Sequence, residues 1–316
     1  MTSLGLAELY INFGIEDILL TSEIYGANKI RRLCNYSKHG EITVGVDNID
    51  NVRQISNIAR ANNTKVNVAL ELYMGQGSAG VKNWEEEALP LAKIIDDYSG
   101  VDLRGVWWHE GSLSRITDWQ ERKEAHFKTL DNVATLVSEM EDAGINVDLV
   151  SGGFTCTWNI TPLYKDLSGV GVQAGNYVLM DWVDKLLPGL EDFTCALTVL
   201  TRCISRPSGK EAVFDSGMNT CSDEAGGSGG DKIEGGYTSI VGPRFKHLRG
   251  VNYPVHLREE ISWVTFPEPN HEVEVGETFE FIPPHGDTTA KLHDKYYGIR
   301  DGKVEVIWPK YGRGLF

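Results

Sequence analysis

Apolar residues follow two alternating spacings between residues 4 and 173. Where they recur every three or four positions they predict amphipathic helices, and where valine, isoleucine and leucine form short unbroken runs they predict strands buried on both faces. The predicted helices span 4–13, 28–36, 49–61, 84–98 and 119–143. The predicted strands span 15–21, 42–47, 66–72, 103–109, 147–150 and 170–173. This strand–helix alternation implies parallel strands joined by crossover helices.

Polar residues or glycine stand at the carboxyl ends of several of these predicted strands. They are Asp47, Glu71, His109, Ser151 with Gly152, and Gln173. Both a (β/α) barrel and a doubly wound sheet satisfy the alternation. In a (β/α) barrel the carboxyl ends of the strands build the active site, so these residues are the first candidates for chemistry.

The pattern changes to β structure after residue 190. Segments at 195–205, 212–215, 272–282, 296–299 and 304–308 predict strands. Asp301-Gly302 between the last two is a hairpin signal, and the glycine-rich stretch Gly226–Gly230 predicts a linker or loop tip. We therefore expect an α/β domain at 1–188 and a mainly β domain at 189–316.

Composition excludes several classes of partner. The chain has 316 residues, 41% hydrophobic and 24% charged, as expected for a globular protein that buries a core. Its formal net charge of −15 argues against nucleic acid and anionic membranes, because both require clustered Lys and Arg. No apolar run is long enough to span a membrane, and the N-terminus does not have the pattern of a secretory signal. Five cysteines without a CxxC motif predict reduced thiols, so we expect a cytoplasmic protein.

A glycine-rich segment, Ser151-Gly152-Gly153-Phe154-Thr155, follows a predicted strand. Adjacent glycines allow backbone N–H groups to approach a phosphate, and the Ser and Thr hydroxyls add donors. An ordinary glycine turn explains the same pattern equally well. The next strand runs into Gln173-Ala174-Gly175-Asn176-Tyr177, which would form the other side of a phosphate site in a barrel.

Two histidines have a carboxylate close by in the sequence. His109 precedes Glu110 at a strand end, which fits a general acid–base, and a structural histidine in the barrel mouth is the alternative. His285 and Asp287 are two positions apart after an apolar run, so in extended chain both side chains would face the same side. Two ligands suit a metal ion that keeps open positions for water or substrate, and the alternative is a turn with a solvated aspartate.

Several segments, in this order, resemble the D-threonine aldolase and D-serine dehydratase-like family. The matching segments are GIEDILLTSEIYG, ITVGVDNIDNV, ELYMGQGSAGV, LRGVWWHEGS, LVSGGFTCTW, VQAGNYVLMD, VFDSGMNTCSDEAG and VGETFEFIPPHGDTTAKLHDKYYGIRDGKVEVIWPKYGRG. They span nearly the whole chain, and the closing segment and the SGG and QAGNY motifs are the most specific. The resemblance implies a pyridoxal-phosphate (PLP) enzyme with an alanine-racemase-type barrel followed by a β domain.

The resemblance also implies roles for individual residues. His285 and Asp287 match the family's metal pair. Aspartate at the second position resembles the aldolase branch, which uses a divalent ion such as manganese, whereas the dehydratase branch tends to have cysteine there and zinc. The residues that match the cofactor-binding segments are Ser151, Gly152, Gly153, Thr155, Gln173, Gly175, Asn176 and Tyr177. The implied reaction is retro-aldol cleavage of a small β-hydroxy-D-amino acid such as D-threonine, in a homodimer.

The chain departs from the family's pattern at several positions. The Schiff-base lysine of the family lies on the first barrel strand, and no segment of this sequence matches that motif. The barrel is therefore expected to lack about two of its eight strands at the N-terminus. Other departures fall on active-site positions of the family: Tyr73, Ser78, His109, Ser112, Phe154 and Ile261.

Three interpretations follow from the sequence. The first is a PLP-dependent lyase assisted by Mn or Zn, with a D-serine dehydratase-type ammonia lyase as its variant. The second is a truncated or diverged relative that keeps a metal or phosphate pocket but lacks the amine needed for covalent catalysis. The third is a phosphate-binding barrel of unrelated chemistry, which rests on fold analogy alone.

Overall fold

The computed structural model describes residues 2–75, 79–222, 243–247 and 255–315. Its helices are α1 (Leu4–Asn12), α2 (Ala27–Tyr36), α3 (Ile49–Ala61), α4 (Trp84–Asp96), α5 (Trp119–Asp142) and α6 (Gly286–Lys291). Its strands are β1 (Asp17–Leu20), β2 (Glu41–Val46), β3 (Val66–Leu72), β4 (Val101–Trp108), β5 (Leu149–Gly152), β6 (Val170–Val172), β7 (Val199–Ser208), β8 (Glu211–Phe214), β9 (Arg244–Phe245), β10 (Val255–Leu257), β11 (Ser262–Thr265), β12 (Thr278–Ile282), β13 (Lys295–Arg300) and β14 (Lys303–Pro309). None of these helices is both long and apolar enough to cross a membrane.

The first six strands form one parallel sheet in the order β1-β2-β3-β4-β5-β6. Spatial order therefore follows chain order, and α2, α3, α4 and α5 each connect two neighbouring strands. A doubly wound sheet reverses its strand order at a switch point, whereas strictly sequential order is that of a (β/α) barrel. Of the two predicted sheet types, the barrel type is confirmed.

Helix α3 illustrates how local sequence sets the elements that flank this sheet. The Asn48 side chain caps its start by accepting a hydrogen bond from the Asn51 N–H at 2.9 Å, which satisfies one of the unpaired donors of the first turn. Val52 and Ile55 lie on its buried face. Asn63, with φ of 50°, turns the chain out of the helix towards β3, and asparagine tolerates this left-handed conformation well.

Two tryptophans at the end of β4 fill the space on both faces of the sheet. Trp107 is 3% exposed and Trp108 is fully buried, and as adjacent strand residues they point to opposite faces. The Trp107 indole lies over Gly45, where a Cβ would be 2.8 Å from its Nε1. Both tryptophans are therefore core residues.

The second half of the chain is mainly β, as predicted. Its larger sheet is antiparallel, with the order β10-β11-β8-β7-β12-β9. The Phe214 ring packs edge-on against Phe245, Phe279 and Phe281. Strands β13 and β14 form a separate hairpin, and the predicted Asp301-Gly302 turn has positive φ at both residues, 50° and 71°, as a type I′ turn requires.

Two predicted strands start later than the sequence suggested. The segment predicted at 272–282 becomes a strand only from Thr278, and the one predicted at 195–205 only from Val199. Before β12 the Asn270 side chain accepts hydrogen bonds from the N–H groups of Glu272 and Val273 at 2.8 and 3.1 Å. This side chain–backbone turn competes with the strand ladder.

The chain divides into two compact units. The first comprises Met1–Leu113, Gln120–Gln173 and Gly312–Phe316, and the second comprises Ser114–Trp119 and Ala174–Tyr311. The folding domains expected at 1–188 and 189–316 stay a prediction. The glycine-rich stretch Gly226–Gly230 and the departure at Ser78 lie outside the described residues.

Candidate functional site

Three carboxyl side chains lie at the carboxyl ends of β1, β2 and β3. Extended beyond their last paired residues, the parallel registers place Glu23, Asp47 and Glu71 at one level of the sheet. Glu71 is 6% exposed, and Oε1 of Glu23 and Oε2 of Glu71 are buried without a hydrogen-bond partner among the described residues. Burial first, then a hydrogen bond with Glu23 and the charges of Glu23 and Asp47, raise the pKa of Glu71 to about 10. Glu71 therefore keeps its proton at neutral pH.

His109 directly follows β4 at the next strand end. Its ring is solvent-exposed and meets the Phe154 ring edge-on, with centroids 5.2 Å apart. Desolvation by the surrounding protein lowers the pKa of His109, and the charge of Glu110 opposes this effect. A neutral, exposed imidazole at a strand end can accept a proton near pH 7, so the predicted acid–base role remains open to this residue.

The structure brings together Ser151, Gly152 and Gln173, as predicted for the phosphate segment. The Ser151 hydroxyl donates to the Gly171 carbonyl at 3.2 Å and accepts a hydrogen bond from Gln173 Nε2 at 3.2 Å. The Gln173 N–H donates to the Gly152 carbonyl at 3.0 Å. The hydroxyl hydrogen of Ser151 is thus used inside the sheet.

Glycine is required at the two positions of the SGG motif for different structural reasons. A Cβ on Gly152 would lie 2.0 Å from the Trp108 ring, so packing requires glycine here. Gly153 has a φ of +75°, and a Cβ there would lie 2.7 Å from Thr157 Oγ1. Its buried N–H has no acceptor among the described residues, whereas the Phe154 N–H donates to Thr157 Oγ1 at 3.0 Å. An unsatisfied N–H after a parallel strand is suited to bind a phosphate oxygen.

A buried chain of hydrogen bonds lies behind this loop. Trp108 Nε1 donates to Glu110 Oε2 at 2.9 Å, and the same oxygen is 2.7 Å from His126 Nδ1. His126 Nε2 is 2.9 Å from the Thr161 hydroxyl, which lies 3.1 Å from the Thr157 carbonyl. Glu110 is 2% exposed and His126 fully buried, so these polar groups are satisfied by one another rather than by water.

Sequence reasoning missed His126, although one signal was available. His126 lies in α5 together with Leu130 and Val133, and these three residues share its buried face. A polar residue at the apolar positions of a long helix indicates a buried partner. In the sequence, Glu110 was considered only as the neighbour of His109. Its contact with His126 could not be recognised, because these two residues are 16 positions apart.

In the second unit, the predicted geometry of the metal pair is wrong. His285 is extended, with φ −141° and ψ 117°, but the chain enters the six-residue helix α6 at Gly286. Asp287 is therefore in the first turn of a helix and does not share a strand face with His285. The His285 side chain is 16% exposed, and the Asp287 side chain is exposed.

Two buried aspartates lie beside His285. Asp181, 2% exposed, accepts hydrogen bonds from the N–H groups of Gly286 at 3.2 Å and Asp184 at 2.9 Å. Its Oδ2 is 3.6 Å from His285 Nδ1. Burial first, then the charges of Asp181 and Asp287, raise the pKa of Asp184 to about 6, against the lowering effects of Asn176 and His285. The site is thus rich in carboxyl groups around one imidazole.

The other predicted cofactor residues have defined places. Thr155 is fully buried and opens a short 3-10 turn, Thr155–Thr157. Asn176 Nδ2 donates to Asp184 Oδ2 at 3.0 Å, and the Tyr177 ring is 45% exposed. Gly175 has room for a Cβ, since nothing lies within 4 Å of that position, so its glycine is not explained by packing within the chain.

The residues of these sites fit PLP and a divalent metal ion, the two groups that the family resemblance implies, only in part. The Gly153 N–H and the left-handed turn at Gly153 would fit the phosphate end of PLP. No lysine ends any of the six strands of the parallel sheet within the described residues, so these strand ends provide no amine for a covalent bond to the cofactor. An imidazole and a carboxylate suit a divalent ion that retains water ligands, and the described residues contain no cluster of three or more His, Cys, Asp or Glu placed to hold one.

Comparison with protein-family models gives two matches in tandem. Residues 14–162 match the alanine racemase N-terminal domain, and residues 196–299 match the putative serine dehydratase domain. The two matches together support the D-threonine aldolase and D-serine dehydratase-like family. This order of domains agrees with the barrel-type sheet and the mainly β unit described above.

Individual relatives match over nearly the whole chain. The 3-hydroxy-D-aspartate aldolase of Paracoccus denitrificans (strain Pd 1222) is 26% identical over 325 residues, covering 98% of this chain and 76% of that protein. The D-threonine aldolase of Arthrobacter sp is 27% identical over 310 residues, covering 97% and 76%. Among solved structures, D-threonine aldolase from Filomicrobium marinum has a TM-score of 0.86 at 24% identity, covering 100% of this chain and 81% of that one. D-threo-3-hydroxyaspartate dehydratase from Delftia sp. HT23 has a TM-score of 0.79 at 21% identity, covering 98% and 82%.

Proposed function

We propose that this protein is a PLP-dependent, metal-assisted lyase that cleaves β-hydroxy-D-amino acids by a retro-aldol reaction. The observation that supports this most is the joint similarity to a D-threonine aldolase and a 3-hydroxy-D-aspartate aldolase over at least 97% of the chain. Both relatives are named for cleavage of β-hydroxy-D-amino acids. The shared family and fold favour the same reaction class here.

In this proposal the loop after β5 binds the cofactor's phosphate. The Gly153 N–H donates to a phosphate oxygen, and Gln173 orders the loop through its bonds to Ser151 and Gly152. When bound, PLP supplies an electron sink for the carbanion that remains at Cα after the Cα–Cβ bond breaks. His109, with its lowered pKa, is neutral at pH 7 and takes the proton of the substrate hydroxyl.

The proposed metal site consists of His285 and Asp287, with Mn or Zn as the ion. Asp181 Oδ2 lies 3.6 Å from Nδ1 of His285 and would hold the orientation of the ring when the ion is bound. A divalent ion at this place would polarise the hydroxyl of the substrate and lower its pKa. Aspartate instead of a thiolate at position 287 favours a harder ion such as Mn.

The products distinguish the candidate reactions. Purified protein is incubated with PLP, MnCl2 and D-threonine, and the products are assayed separately. Retro-aldol cleavage gives glycine and acetaldehyde, whereas the dehydratase reaction gives ammonia and 2-oxobutanoate. L-threonine is the matched stereochemical control. With 3-hydroxy-D-aspartate the corresponding pairs are glycine with glyoxylate and ammonia with oxaloacetate. Absence of all of these products with both substrates would contradict the proposal.

A non-catalytic relative is the second candidate, because no described strand of the parallel sheet ends in lysine. Reduction of the protein with borohydride in the presence of PLP, followed by peptide mass spectrometry, tests this directly. A single modified lysine in the native protein, absent after denaturation, favours the enzyme. Pyridoxal phosphate that binds but leaves no modified lysine favours the non-catalytic relative.

We also propose that the protein acts as a homodimer. Support comes from the hairpin β13–β14, whose strands pair with each other and with no other described strand. It exposes apolar side chains, including Ile299 at 61% and Trp308 at 53%, and an apolar surface of this kind marks an interaction site. Light scattering after size-exclusion chromatography should give the mass of two chains, and Ile299→Glu should give one.

A further inference from the structure

The buried pair formed by Glu110 and His126 has no role in the reaction proposed above. Their side chains are 3% and 0% exposed. Burying an ionisable pair costs free energy that a pair of apolar residues would not cost. The contacts of the pair point towards one place, the loop that follows β5.

The single hydrogen of the Thr161 hydroxyl sets the direction of the hydrogen bonds that run from Glu110 to the loop after β5. Glu110 Oε2 accepts from Trp108 Nε1 at 2.9 Å and lies 2.7 Å from His126 Nδ1. Thr161 has one hydroxyl hydrogen, and it is directed at the Thr157 carbonyl. His126 Nε2 then donates to the Thr161 oxygen.

Thr157 connects this chain to the glycine loop. Its hydroxyl accepts the Phe154 N–H at 3.0 Å and donates to the Phe154 carbonyl at 3.1 Å. Around Gly153, the atoms nearest to an added Cβ would be Thr157 Oγ1, His126 Cε1 and Thr161 Oγ1, at 2.7, 3.7 and 3.7 Å. Atoms of Thr157, His126 and Thr161 thus surround Gly153, and the Gly153 N–H has no acceptor among the described residues.

We propose that the chain Glu110–His126–Thr161 is a positioning device that holds the loop 151–157 in the conformation that receives a phosphate group. It fixes Thr157, and Thr157 occupies the Phe154 N–H, so that the Gly153 N–H alone faces a ligand. Glu110, His126 and Thr161 do not contact the phosphate themselves. They fix the position of the Gly153 backbone, whose N–H would bind it. The inference rests on the phosphate-binding part of the proposed function.

The test compares two ligands that differ only in the phosphate. Pyridoxine 5′-phosphate and pyridoxine have no aldehyde, so neither forms covalent adducts with lysines, and their dissociation constants are measured by calorimetry. Thr161→Val removes the hydroxyl at nearly constant volume, and Thr161→Ser restores it. The wild-type protein should bind the phosphate ester more tightly. Thr161→Val should reduce this preference about 3- to 10-fold, as expected for one lost hydrogen bond, with the affinity for pyridoxine unchanged.

Different failures have different meanings. Equal binding of both ligands by the wild-type protein overturns the phosphate site and with it the proposed function. A wild-type preference that persists in Thr161→Val overturns the positioning role alone. If Thr161→Val does not fold, Glu110→Gln takes its place, since it keeps the side-chain size and removes the carboxylate. Recovery of the preference in Thr161→Ser separates positioning from a general loss of stability, which would not change the ratio of the two affinities.

Discussion

Asp181 Oδ2 lies 3.6 Å from His285 Nδ1 and accepts the Gly286 N–H at 3.2 Å. One buried carboxylate thus contacts both the imidazole and the first residue of α6. A carboxylate on one ring nitrogen fixes the orientation of the ring and makes the other nitrogen a better ligand. The orientation of the proposed metal ligand therefore depends on a residue about one hundred positions earlier in the chain.

Asp181→Asn should weaken Mn2+ binding about 10- to 100-fold, the usual effect of losing a partner of a metal-bound histidine. The amide keeps the size of the side chain but cannot provide the charge. Titration of Mn2+ followed by electron paramagnetic resonance measures the change. Asp192→Asn is the control, because Asp192 is an exposed carboxylate in the same unit. Equal losses in both variants would show that only net charge matters.

Glu71→Gln should stabilise the protein increasingly as the pH rises. The folded-state pKa of Glu71 is raised to about 10 from its ordinary value of 4.5, so the folded chain holds a proton that the unfolded chain releases. Stability is therefore fully present below about pH 4.5 and falls as the pH rises towards 10, by up to about 1.4 kcal/mol per pH unit. Glutamine mimics the protonated acid. The difference in Tm between variant and wild type, measured from pH 5 to 9, should grow with pH. A constant difference would contradict the raised pKa of Glu71.

Gly152→Ala should destabilise the fold by about 1–3 kcal/mol, the range for overpacking a core. The new Cβ would lie 2.0 Å from the Trp108 ring, which has no space to move because it is fully buried. Gly171→Ala on the neighbouring strand is the matched control, since the nearest atom to its Cβ is 3.6 Å away. Urea unfolding should show a lower midpoint for the first variant and an almost unchanged one for the second.

His109→Asn should lower kcat for cleavage of D-threonine about 10²- to 10⁴-fold, the usual contribution of a general base. The lowered pKa of His109 keeps the imidazole neutral below its usual titration range, so the acidic limb of the wild-type pH profile should lie below about pH 6.5 and disappear in the variant. His39→Asn is the control for an exposed histidine in the first unit. A variant with unchanged kcat would assign the proton transfer to another group.

Local patterns predicted the elements of the first unit well. The bounds of α3 and β3 agree with the prediction at both ends, because helix caps and apolar periodicity depend only on residues that are close together in the sequence. The hairpin at Asp301-Gly302 was also predicted, since few residue pairs accept positive φ at both positions.

Long-range pairs could not be predicted from the same patterns. Glu23 and Glu71 are both ordinary acidic residues in the sequence, and only the register of three strands brings them together. The pair of Glu110 and His126 depends on the packing of α5 against the sheet. For His285 and Asp287 the spacing was correct but the backbone was not, because a short helix begins between them and removes the two-residue periodicity on which the prediction depended.

The packing of Gly152 against Trp108 affects which residues can be used to distinguish active members of this family from inactive ones. Because the Trp108 ring leaves no room for a Cβ, selection for a stable fold would preserve this glycine in a descendant that no longer binds any cofactor. The SGG motif would thus be preserved by the packing of Trp108 as well as by phosphate binding. Residues with no packing role, such as Gly175, would be the first to drift after catalysis is lost, and they are the better markers of activity among diverged sequences.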